Sequence, residues 1–428
     1  MEILQNLCEN VIIRTIKEKW GMNRENQGVF KAIVIGAGAS GLVASIELLK
    51  KFGKGSVAVF DRLDRVGKKL LQTGNGQCNL SNNSEKIAHY HGENAFFPSS
   101  VLNKYSKNIE PFFNSLGIPF TSDNDKVYPL SKQASSVVDA LRFKLESLGA
   151  VLNLSSEVSF VKKQGNLFVV ESKNGIRTIG ENLIVCVGGK SQKHLGTDGS
   201  GYSILTTFNH SLTNLYPSIV ALRTDTSKIK GLKGLKQKVS AKAVANGKVL
   251  AETQGDILFT DYGVSGNVSF YLSSYLANEQ NGELLIDFCQ SLSVEEIESL
   301  ILAKQKNCPY LTGEHLLLGI MNGKIASSVL RNSGFANLSA PIKDFSAREV
   351  AKAVKGYKIS VKGVLDFDSS QVTKGGIKTS EFNDETLESK LVKNLYACGE
   401  VLDVDGDCGG FNLKWAFASA FAVSNNIL

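Results

Sequence analysis

Three glycines near the start of the chain have the spacing that binds phosphate groups. Gly36, Gly38 and Gly41 form the pattern G-x-G-x-x-G, between an apolar run over 29–35 and a segment of helical periodicity over 42–52. In this pattern the first glycine allows a tight turn, the second lets the backbone approach a pyrophosphate, and the third lets a helix pack closely on a strand. The start of the following helix would offer free N–H groups and the positive end of its dipole to the phosphates. These residue types therefore predict the binding of a phosphorylated ligand.

An acidic residue at the end of the next strand narrows that ligand to a dinucleotide. The apolar run over 56–60 ends at Asp61, at the distance from the glycines expected of a carboxylate that binds a ribose hydroxyl. The glycine pattern alone is also typical of a plain glycine-rich turn. Together with the strand before it, the helix after it and Asp61, it predicts a Rossmann-like α/β fold. NAD and FAD both use this pattern, so it does not choose between them.

The C-terminal segment favours FAD. Residues 395–398 predict a short buried strand that ends at Gly399 and Glu400, and a glycine-rich acidic loop then leads into a helix with Asn412 near its N-cap. Reduction of a flavin builds negative charge on its pyrimidine side, which a helix N-terminus stabilises. The alternative, an ordinary strand and helix that close the fold, remains open at this point.

A third segment is expected to reach the same site. Residues 183–187 form an apolar strand that ends at Gly188 and Gly189, and a hairpin that begins at Val158 precedes it. A strand that ends in small residues can approach a dinucleotide closely, because no side chain intervenes. Val158 could meet an adenine ring through its backbone.

The stretch GKKLLQTGNGQCNLSN, residues 67–82, is rich in glycine and asparagine and nearly free of apolar residues after Leu71. Its glycines would let the backbone face a flat ligand, and its amides supply neutral hydrogen bonds that do not titrate. Taken alone, this composition also fits an ordinary surface loop.

The chain resembles a family of bacterial FAD-binding oxidoreductases described as aminoacetone-oxidase-type and 3-dehydro-bile-acid-reductase-type flavoproteins. The matching stretches run in order along the chain from about Lys31 and include IGAGASGLVA, GKKLLQTGNGQCNLSN, VGGKSQKHLGTDGSGY, GDILFTDYGVSGNVSFYLSSY, QVTKGGIKTSEFNDETLESKL and LYACGEVLDVDGDCGGFNLKWAFASA. The resemblance implies that the loop at 67–82 lies along FAD. Together with the motifs above, it predicts these FAD contacts: Gly36, Gly38, Ala39, Ser40, Gly41, Asp61, Arg62, Lys68, Lys69, Thr73, Gly74, Gly76, Cys78, Asn79, Val158, Gly188, Gly189, Gly399, Glu400, Gly410, Phe411, Asn412 and Leu413.

One position departs from the family pattern. The family usually has Arg where this chain has Gln77. The resemblance therefore implies a positive charge near the flavin or its substrate that this chain lacks, so substrate specificity does not transfer directly.

The resemblance also implies a flavin domain built from both chain ends, with a β-barrel-like and a small helical portion inserted between them. The expected organisation is an N-terminal extension over 1–28, the first part of the FAD-binding domain over 29–205, the inserted domain over 206–361 and the second part of the FAD-binding domain over 362–428. Within the insertion, short alternating segments predict strands over 206–290, and helical periodicity dominates 291–355.

Polar residues expected near the flavin ring are the candidates for catalysis and substrate contact. They are Lys190, His194, Asp198 and Tyr262, with Asp261, Thr373 and Asp405 as further candidates for substrate contact. Each has a plainer alternative: His194 fits a solvated loop, Asp198 fits the cap of a helix that begins near Gly201, and Tyr262 fits packing.

Composition limits the class of protein. The chain has 428 residues and a formal charge of +7, without a dense basic run interleaved with aromatic residues, so nucleic acid is not the expected partner. Seven scattered cysteines without a C-x-x-C motif predict neither disulfides nor a metal site, and favour the cytoplasm. No apolar run reaches the length of a membrane span. The first 30 residues favour an amphipathic helix or an extended start over a signal peptide.

These observations lead to three hypotheses of function. The first is an FAD-dependent oxidoreductase that passes a hydride between NAD(P)H and an organic small molecule; any NAD(P)H would bind transiently, because the sequence has no second G-x-G-x-x-G. The second is a flavin-dependent oxidase of an amine or hydroxy substrate that uses oxygen. The third is a flavin-binding protein associated with nucleic acid, which only the mild basic charge supports.

Overall fold

The computed structural model describes residues 28–279 and 281–428, which form two compact units. The first unit contains residues 28–214 and 375–428, and the second contains 215–374 apart from residue 280. The extension predicted over 1–28 lies outside the described residues except for its last residue. A unit assembled from both chain ends, with one insertion, agrees with the predicted organisation.

The elements of the described chain are numbered in sequence order. The strands are β1 Phe30–Ile35, β2 Val57–Phe60, β3 Ser81–Asn82, β4 Tyr90–His91, β5 Phe120–Asp123, β6 Lys126–Pro129, β7 Val151–Asn153, β8 Val158–Gln164, β9 Leu167–Ser172, β10 Arg177–Val185, β11 Tyr216–Ser218, β12 Leu222–Thr224, β13 Lys236–Ala245, β14 Lys248–Phe259, β15 Gly263–Ser265, β16 Gly282–Asp287, β17 Tyr357–Val364, β18 Val372–Lys374, β19 Leu395–Ala397 and β20 Asp405–Gly406. The α-helices are α1 Ala39–Phe52, α2 Ser99–Tyr105, α3 Ile109–Ser115, α4 Ala134–Ser147, α5 Tyr202–Thr206, α6 Asn267–Leu276, α7 Val294–Asn307, α8 Gly323–Asn332, α9 Ala347–Lys355 and α10 Phe411–Asn426.

The first unit is built on a seven-stranded sheet in the order β7-β2-β1-β10-β9-β8, with β19 also paired to β10. Strands β7, β2, β1, β10 and β19 are parallel, whereas β8 and β9 form an antiparallel hairpin. Parallel strands bury both faces, which explains why β1, β2 and β19 are almost continuously apolar. This is the predicted Rossmann-like α/β fold.

Helices α1 and α10 pack against each other in this unit. Helix α10 is buried on nearly every side, because Trp415, Phe417 and Phe421 alternate with alanines and serines that allow close approach. A helix that is apolar all round belongs in the interior of a large fold. The last segment of the chain thus holds the start of α1, and with it the glycine turn, in place.

The second unit contains a closed barrel in the order β12-β15-β14-β13-β16-β17. Helices α7, α8 and α9 lie between β16 and β17 in sequence, as predicted for 291–355. Helix α6 was not predicted within the β-rich part. Its apolar residues Val268, Leu272 and Leu276 recur at helical spacing and are buried in the core of this unit.

The boundaries between the units lie later than the predicted 205/206 and 361/362. Residues 207–214 stay with the first unit, where Thr213 N–H donates to the Gly376 carbonyl at 2.9 Å and Lys378 N–H to the Ser211 carbonyl at 2.9 Å. At the other end, β18 pairs with β11 inside the second unit, which carries that unit to residue 374. Pairing between segments distant in sequence therefore decides both boundaries.

Candidate flavin site

The turn between β1 and α1 has the geometry that a pyrophosphate needs. A Cβ on Gly41 would lie 1.8 Å from the carbonyl oxygen of Gly36, so only glycine allows helix and strand to approach so closely. Gly36 adopts a φ of +101°, and a Cβ there would lie 2.3 Å from the Cys186 carbonyl oxygen. At Gly38, in contrast, no described atom lies within 4 Å of the Cβ position, which leaves the approach open. Gly36 and Gly41 thus have the predicted steric roles, and the approach of a pyrophosphate at Gly38 stays a prediction.

The start of α1 is open to an anion. Gly38 is its N-cap residue, so among the described residues no capping side chain bonds to the N–H groups of the first turn, and that turn has no acidic residue. Ala39 and Ser40 belong to this first turn. Unsatisfied N–H groups and the positive end of the helix dipole favour a phosphate at this position.

Asp61 is bound to the glycine turn itself. Its Oδ2 accepts a hydrogen bond from Ala37 N–H at 2.7 Å, and its Oδ1 accepts one from Leu63 N–H at 2.8 Å. Burial raises the pKa of this carboxyl above its ordinary value, although both backbone N–H groups and Arg62 oppose the shift. Asp61 therefore joins two loops, and its bond to a ribose hydroxyl stays a prediction.

This arrangement leads to a prediction about cofactor affinity. We expect Asp61→Ala to weaken FAD binding by roughly 1–3 kcal/mol, because a charge-assisted hydrogen bond and the support of the glycine turn are lost together. Fluorescence titration of apoprotein with FAD measures this change. Asp139→Ala, on the exposed side of α4, is the matched control. Equal affinities for Asp61→Ala and wild type would show that Asp61 does not contact the cofactor.

Arg62 and Asp198 form an ion pair. The guanidinium donates to both carboxylate oxygens of Asp198, at 2.7 and 3.1 Å, and Ser200 donates to the same carboxylate through its N–H and its hydroxyl. The Arg62 hydrogen bonds hold the pKa of Asp198 well below its ordinary value. Asp198 is therefore held by Arg62 and Ser200, and its role in catalysis or substrate contact stays a prediction. It does not cap α5, whose N-cap residue is Gly201.

The segment that leads into β8 runs beside Asp61. Ser156 N–H donates to the Asp61 carbonyl at 2.8 Å, and Ser155 N–H to the Leu63 carbonyl at 2.8 Å. Val158 begins β8 two residues later. Val158 therefore follows the segment that bonds to Asp61 and Leu63, and its contact with an adenine stays a prediction.

The loop at 67–82 folds back on itself through left-handed backbone conformations. Gly74, Asn75, Gly76 and Cys78 all have positive φ values, and Cys78 N–H donates to the Thr73 carbonyl at 3.0 Å. Glycine and asparagine adopt this conformation most easily, which explains the composition of the loop. Lys68 precedes the turn and is half-buried.

The same loop packs against the start of α10. A Cβ on Gly410 would lie 2.6 Å from Oδ1 of Asn79 and 2.2 Å from the Ser81 carbonyl oxygen. Asn82 Nδ2 donates to the Gly409 carbonyl at 2.8 Å. Oδ1 of Asn79 is buried and has no hydrogen-bond partner within the described residues. An orphaned buried acceptor where two glycine-rich loops meet fits a ligand that donates a hydrogen bond there.

Lys414 links α10 to the end of the loop at 67–82. This buried side chain donates to the carbonyls of Asn82 and Ser84, at 2.9 and 3.0 Å. Burial lowers the pKa of its ammonium below the ordinary value. Lys414 was not predicted as a site residue; the sequence signal available was a lysine in the first turn of an otherwise apolar helix.

The start of α10 differs in detail from the prediction. Gly410, with a φ of +98°, is the N-cap residue, and Asn412 is the second residue of the helix. The Asn412 amide pairs with the backbone of Gly406, accepting from its N–H at 2.8 Å and donating to its carbonyl at 2.7 Å. Asn412 therefore closes the acidic loop and leaves the helix start to Gly410, Phe411 and Leu413.

The predicted residues at the ends of β10 and β19 lie together. Lys69 donates to Glu400 at 2.9 Å, and Glu400 Oε2 lies 3.8 Å from the Cβ position of Gly188. A Cβ on Gly399 would lie 2.6 Å from Oγ of Ser40, at the start of α1. Gly189 follows Gly188 and is buried. The parallel strands thus bring the first motif, the loop and the C-terminal motif to one edge of the sheet.

The remaining catalytic candidates are divided between the two units. His194 is exposed in a short helical turn, Lys193–Leu195, and the Lys190 side chain packs beside Gly199. Tyr262 lies in the second unit, as do Asp261, which forms an exposed ion pair with Lys233, and the buried Thr373. Asp405 is buried in β20.

A cluster that the sequence analysis missed lies beside α10. Nδ1 of His89 is 2.9 Å from Oδ2 of Asp407, and Nε2 of His91 is 2.8 Å from Oδ1 of the same carboxylate. The available signal was the motif HYH, in which two histidines are two positions apart. Its contact with Asp407 could not be read from the sequence, because the two motifs are far apart in the chain.

These loops fit FAD: an open glycine turn at a helix start, an acidic residue beside it, and a second helix start with an unsatisfied acceptor nearby. Within 28–279 and 281–428, no helix is long and apolar enough to cross a membrane. The fold and the site define an FAD-dependent oxidoreductase.

Comparison with known proteins identifies the family. A family model described as "HI0933-like protein Rossmann domain" matches residues 30–426, so the chain belongs to this family, and the resemblance inferred from the motifs is confirmed.

Two curated relatives and one solved structure are similar over most of their length. The chain is 32% identical over 396 residues to a 3-dehydro-bile acid delta(4,6)-reductase of Clostridium scindens, covering 91% of this chain and 96% of that protein. It is 31% identical over 407 residues to a ribosomal RNA dihydrouridine synthase of Haemophilus influenzae, covering 92% and 98%. The open conformation of a flavocytochrome c3 fumarate reductase matches with a TM-score of 0.50 and 14% identity, covering 98% of this chain and 80% of that one, which supports the fold.

Proposed function

We propose that this protein is a reductase that takes a hydride from NAD(P)H and delivers it, through bound FAD, to a carbon–carbon double bond conjugated to a carbonyl group. The observation that carries this proposal is the chemistry common to the two relatives. A 3-oxo steroid with Δ4 and Δ6 double bonds is a conjugated ketone, and dihydrouridine is uridine with its conjugated C5–C6 bond reduced. The two relatives are nearly equally identical to this chain, and their names give different substrates but one type of reaction.

The residues of this chain serve that reaction by binding and orientation. The turn at Gly36–Gly41 and the start of α1 bind the pyrophosphate, and Asp61 and the segment before Val158 face the adenosine end. FAD, when bound, supplies hydride transfer. The loop at Thr73–Asn79 and the start of α10 hold the ring, with the helix dipole stabilising negative charge on its pyrimidine side.

The proposed substrate is a small molecule. Exposed lysines on the barrel are paired with carboxylates at three sites: Lys233 with Asp261, Lys236 with Asp256 and Lys242 with Glu252. Such pairs weaken a basic surface for a polyanion, whose binding depends on releasing counterions. Gln77 is exposed and adds no charge.

Ribosomal RNA is the second candidate substrate, because the Haemophilus influenzae relative carries that name. With this substrate, the proposed reaction reduces the conjugated C5–C6 bond of a uracil ring in the RNA. Salt dependence separates the two substrates, since RNA binding should weaken steeply between low and moderate salt whereas binding of a neutral enone should not.

The proposed location is the cytoplasm. Cys78, Cys186, Cys289, Cys308, Cys398 and Cys408 are free thiols. Reduced thiols suit a compartment in which NAD(P)H is the electron donor.

The test begins with the anaerobic visible spectrum of the FAD-loaded protein. We expect NADH or NADPH to bleach the flavin band, and a 3-oxo-Δ4,6 bile acid or unmodified ribosomal RNA to restore it with formation of the reduced product. Restoration by oxygen alone, with a simple amine or hydroxy acid as the only effective reductant, would favour the oxidase and overturn the proposal. A protein that binds no FAD would overturn it at the first step.

A further inference from the structure

The cluster beside α10 consists of one buried carboxylate between two imidazoles. Asp407 is 2% exposed, and its two oxygens are divided between His89 and His91, at 2.9 and 2.8 Å. The histidine side chains keep 28% and 20% of their surface exposed. The carboxylate is therefore withdrawn from water, while both rings reach towards solvent.

Backbone pairing builds this geometry. Strand β4 pairs antiparallel with β20, and Asp407 N–H donates to the His89 carbonyl at 2.9 Å. His89 ends a short helical turn, Ile87–His89, and His91 ends β4, and both rings meet the same carboxylate. The two motifs are thus fixed to each other by main-chain bonds as well as by the side chains.

The cluster is joined to the predicted flavin end of the site through Phe411. The His89 ring stacks on the Phe411 ring with centroids 4.3 Å apart, and Tyr90 meets the same ring edge-on at 5.8 Å. Tyr90 also donates its hydroxyl to the Phe411 carbonyl at 3.3 Å. Phe411 is the first residue of α10, next to the Gly410 cap that contacts Asn79. His89 is therefore in direct contact with the first residue of the helix start that is proposed to face the flavin.

We propose that His89 is the proton donor of the reduction and that Asp407 positions it, with His91 as a second proton carrier on the same carboxylate. This inference rests on the proposed function. The substrate's β-carbon gains a hydride, and the electron pair of the double bond takes a proton from Nε2 of His89 at the α-carbon. That one carbon–carbon bond is then saturated, His89 becomes a neutral imidazole, and its proton is replaced from solvent.

The arrangement suits this role for two reasons. Oδ2 of Asp407 lies 2.9 Å from Nδ1 of His89 and directs Nε2 away from the carboxylate, which is the usual way in which a carboxylate orients a catalytic histidine. The stacked Phe411 ring also fixes the plane of the imidazole. Other titratable groups on the elements packed around His89 are Asp403 and Asp405 of the acidic loop, Tyr90, His91 and Lys414.

The experiment separates the two halves of the reaction. The FAD-loaded protein is reduced with one equivalent of NADPH, or with dithionite, and then mixed in a stopped-flow instrument with a 3-oxo-Δ4,6 bile acid between pH 5 and pH 9. Wild type, His89→Gln, Asp407→Asn and His315→Gln are compared. His315 lies in the second unit, where it bonds to Thr312, and is the matched control.

We expect reoxidation by the enone to slow as pH rises in wild type and in His315→Gln. In His89→Gln it should be about 10²–10⁴-fold slower and independent of pH over this range, with FAD content and the rate of reduction unchanged. Asp407→Asn should also slow reoxidation, because it removes the carboxylate that orients His89, with FAD content and the rate of reduction unchanged.

Two outcomes overturn the inference. In the first, wild type reduces the enone and His89→Gln keeps the wild-type rate and pH profile. The cluster then has a structural role only. In the second, the rate and the FAD content of His89→Gln fall together while Asp407→Asn keeps the wild-type rate of reoxidation. An inactive wild type with an enone and with ribosomal RNA identifies a failure of the proposed function instead.

Discussion

Gly38→Val is expected to abolish FAD retention and leave the protein folded. No described atom lies within 4 Å of the Gly38 Cβ position, so the valine side chain enters the space reserved for the pyrophosphate without striking the protein. We expect the FAD dissociation constant to rise about 100-fold or more, which corresponds to about 3 kcal/mol. The ratio of flavin to protein absorbance after gel filtration measures retention, and FAD titration of the apoprotein measures affinity.

Gly323→Val is the matched control for this change. Gly323 also has open space at its Cβ position and an unstrained backbone, but it begins α8 in the second unit. Melting temperatures must be compared between apoproteins, because the loss of bound FAD lowers stability by mass action. Full flavin occupancy in Gly38→Val would refute the position assigned to the pyrophosphate.

Lys414→Met is expected to weaken both the first unit and its hold on FAD. Methionine keeps most of the apolar stem but leaves the carbonyls of Asn82 and Ser84 buried without their donor. Each orphaned carbonyl costs about 1–3 kcal/mol, and relief from burying an ammonium offsets part of this cost. We expect the apoprotein to melt roughly 2–10 °C lower and FAD affinity to fall about tenfold or more.

The control for this change is Lys352→Met. Lys352 is exposed on α9 and pairs only with Glu349 among the contacts described for it, so its removal should shift stability by less than about 0.5 kcal/mol. If Lys414→Met leaves both the melting temperature and FAD affinity at wild-type values, the loop at 67–82 and α10 do not depend on this side chain.

The two changes affect the same site in different ways. Because Gly38 has no side chain, the space beside it is open to the ligand, whereas Lys414 hydrogen-bonds to the backbone of a loop that is proposed to surround the flavin ring. We therefore expect Gly38→Val to act on binding without affecting the apoprotein, and Lys414→Met to affect both.

The cofactor site was predictable because its determinants are local. Gly36, Gly38 and Gly41 are held by steric limits that act within one turn, and an apolar strand before them and a helix after them follow from periodicity. The barrel was predictable in class from short alternating segments. Helix α6 was missed there because its residues sit between strands and its buried face is defined only by the core that it meets.

The contacts between side chains distant in the sequence were not predictable in the same way. An aspartate on a glycine-rich loop before a helix, such as Asp198, is typical of a catalytic or capping residue. Its ion pair with Arg62 could not be read from the sequence, because Arg62 lies 136 positions away in the chain. His89 and Asp407 are separated by 318 positions, and their contact exists only because β4 pairs with β20. Side-chain chemistry of this kind depends on which segments the sheet and the loops bring together.

The sequence by itself determined the dinucleotide turn, because glycine spacing and hydrophobic period are properties of neighbouring residues, and the resemblance of its motifs implied the family and the division of the flavin unit between both chain ends. Only the tertiary structure decided that Asp198 fastens Arg62, that Lys414 supports the loop at 67–82, and that two histidines meet one buried carboxylate beside α10. The physical reason is that charges and hydrogen bonds act over a few ångströms in space, whatever their separation along the chain.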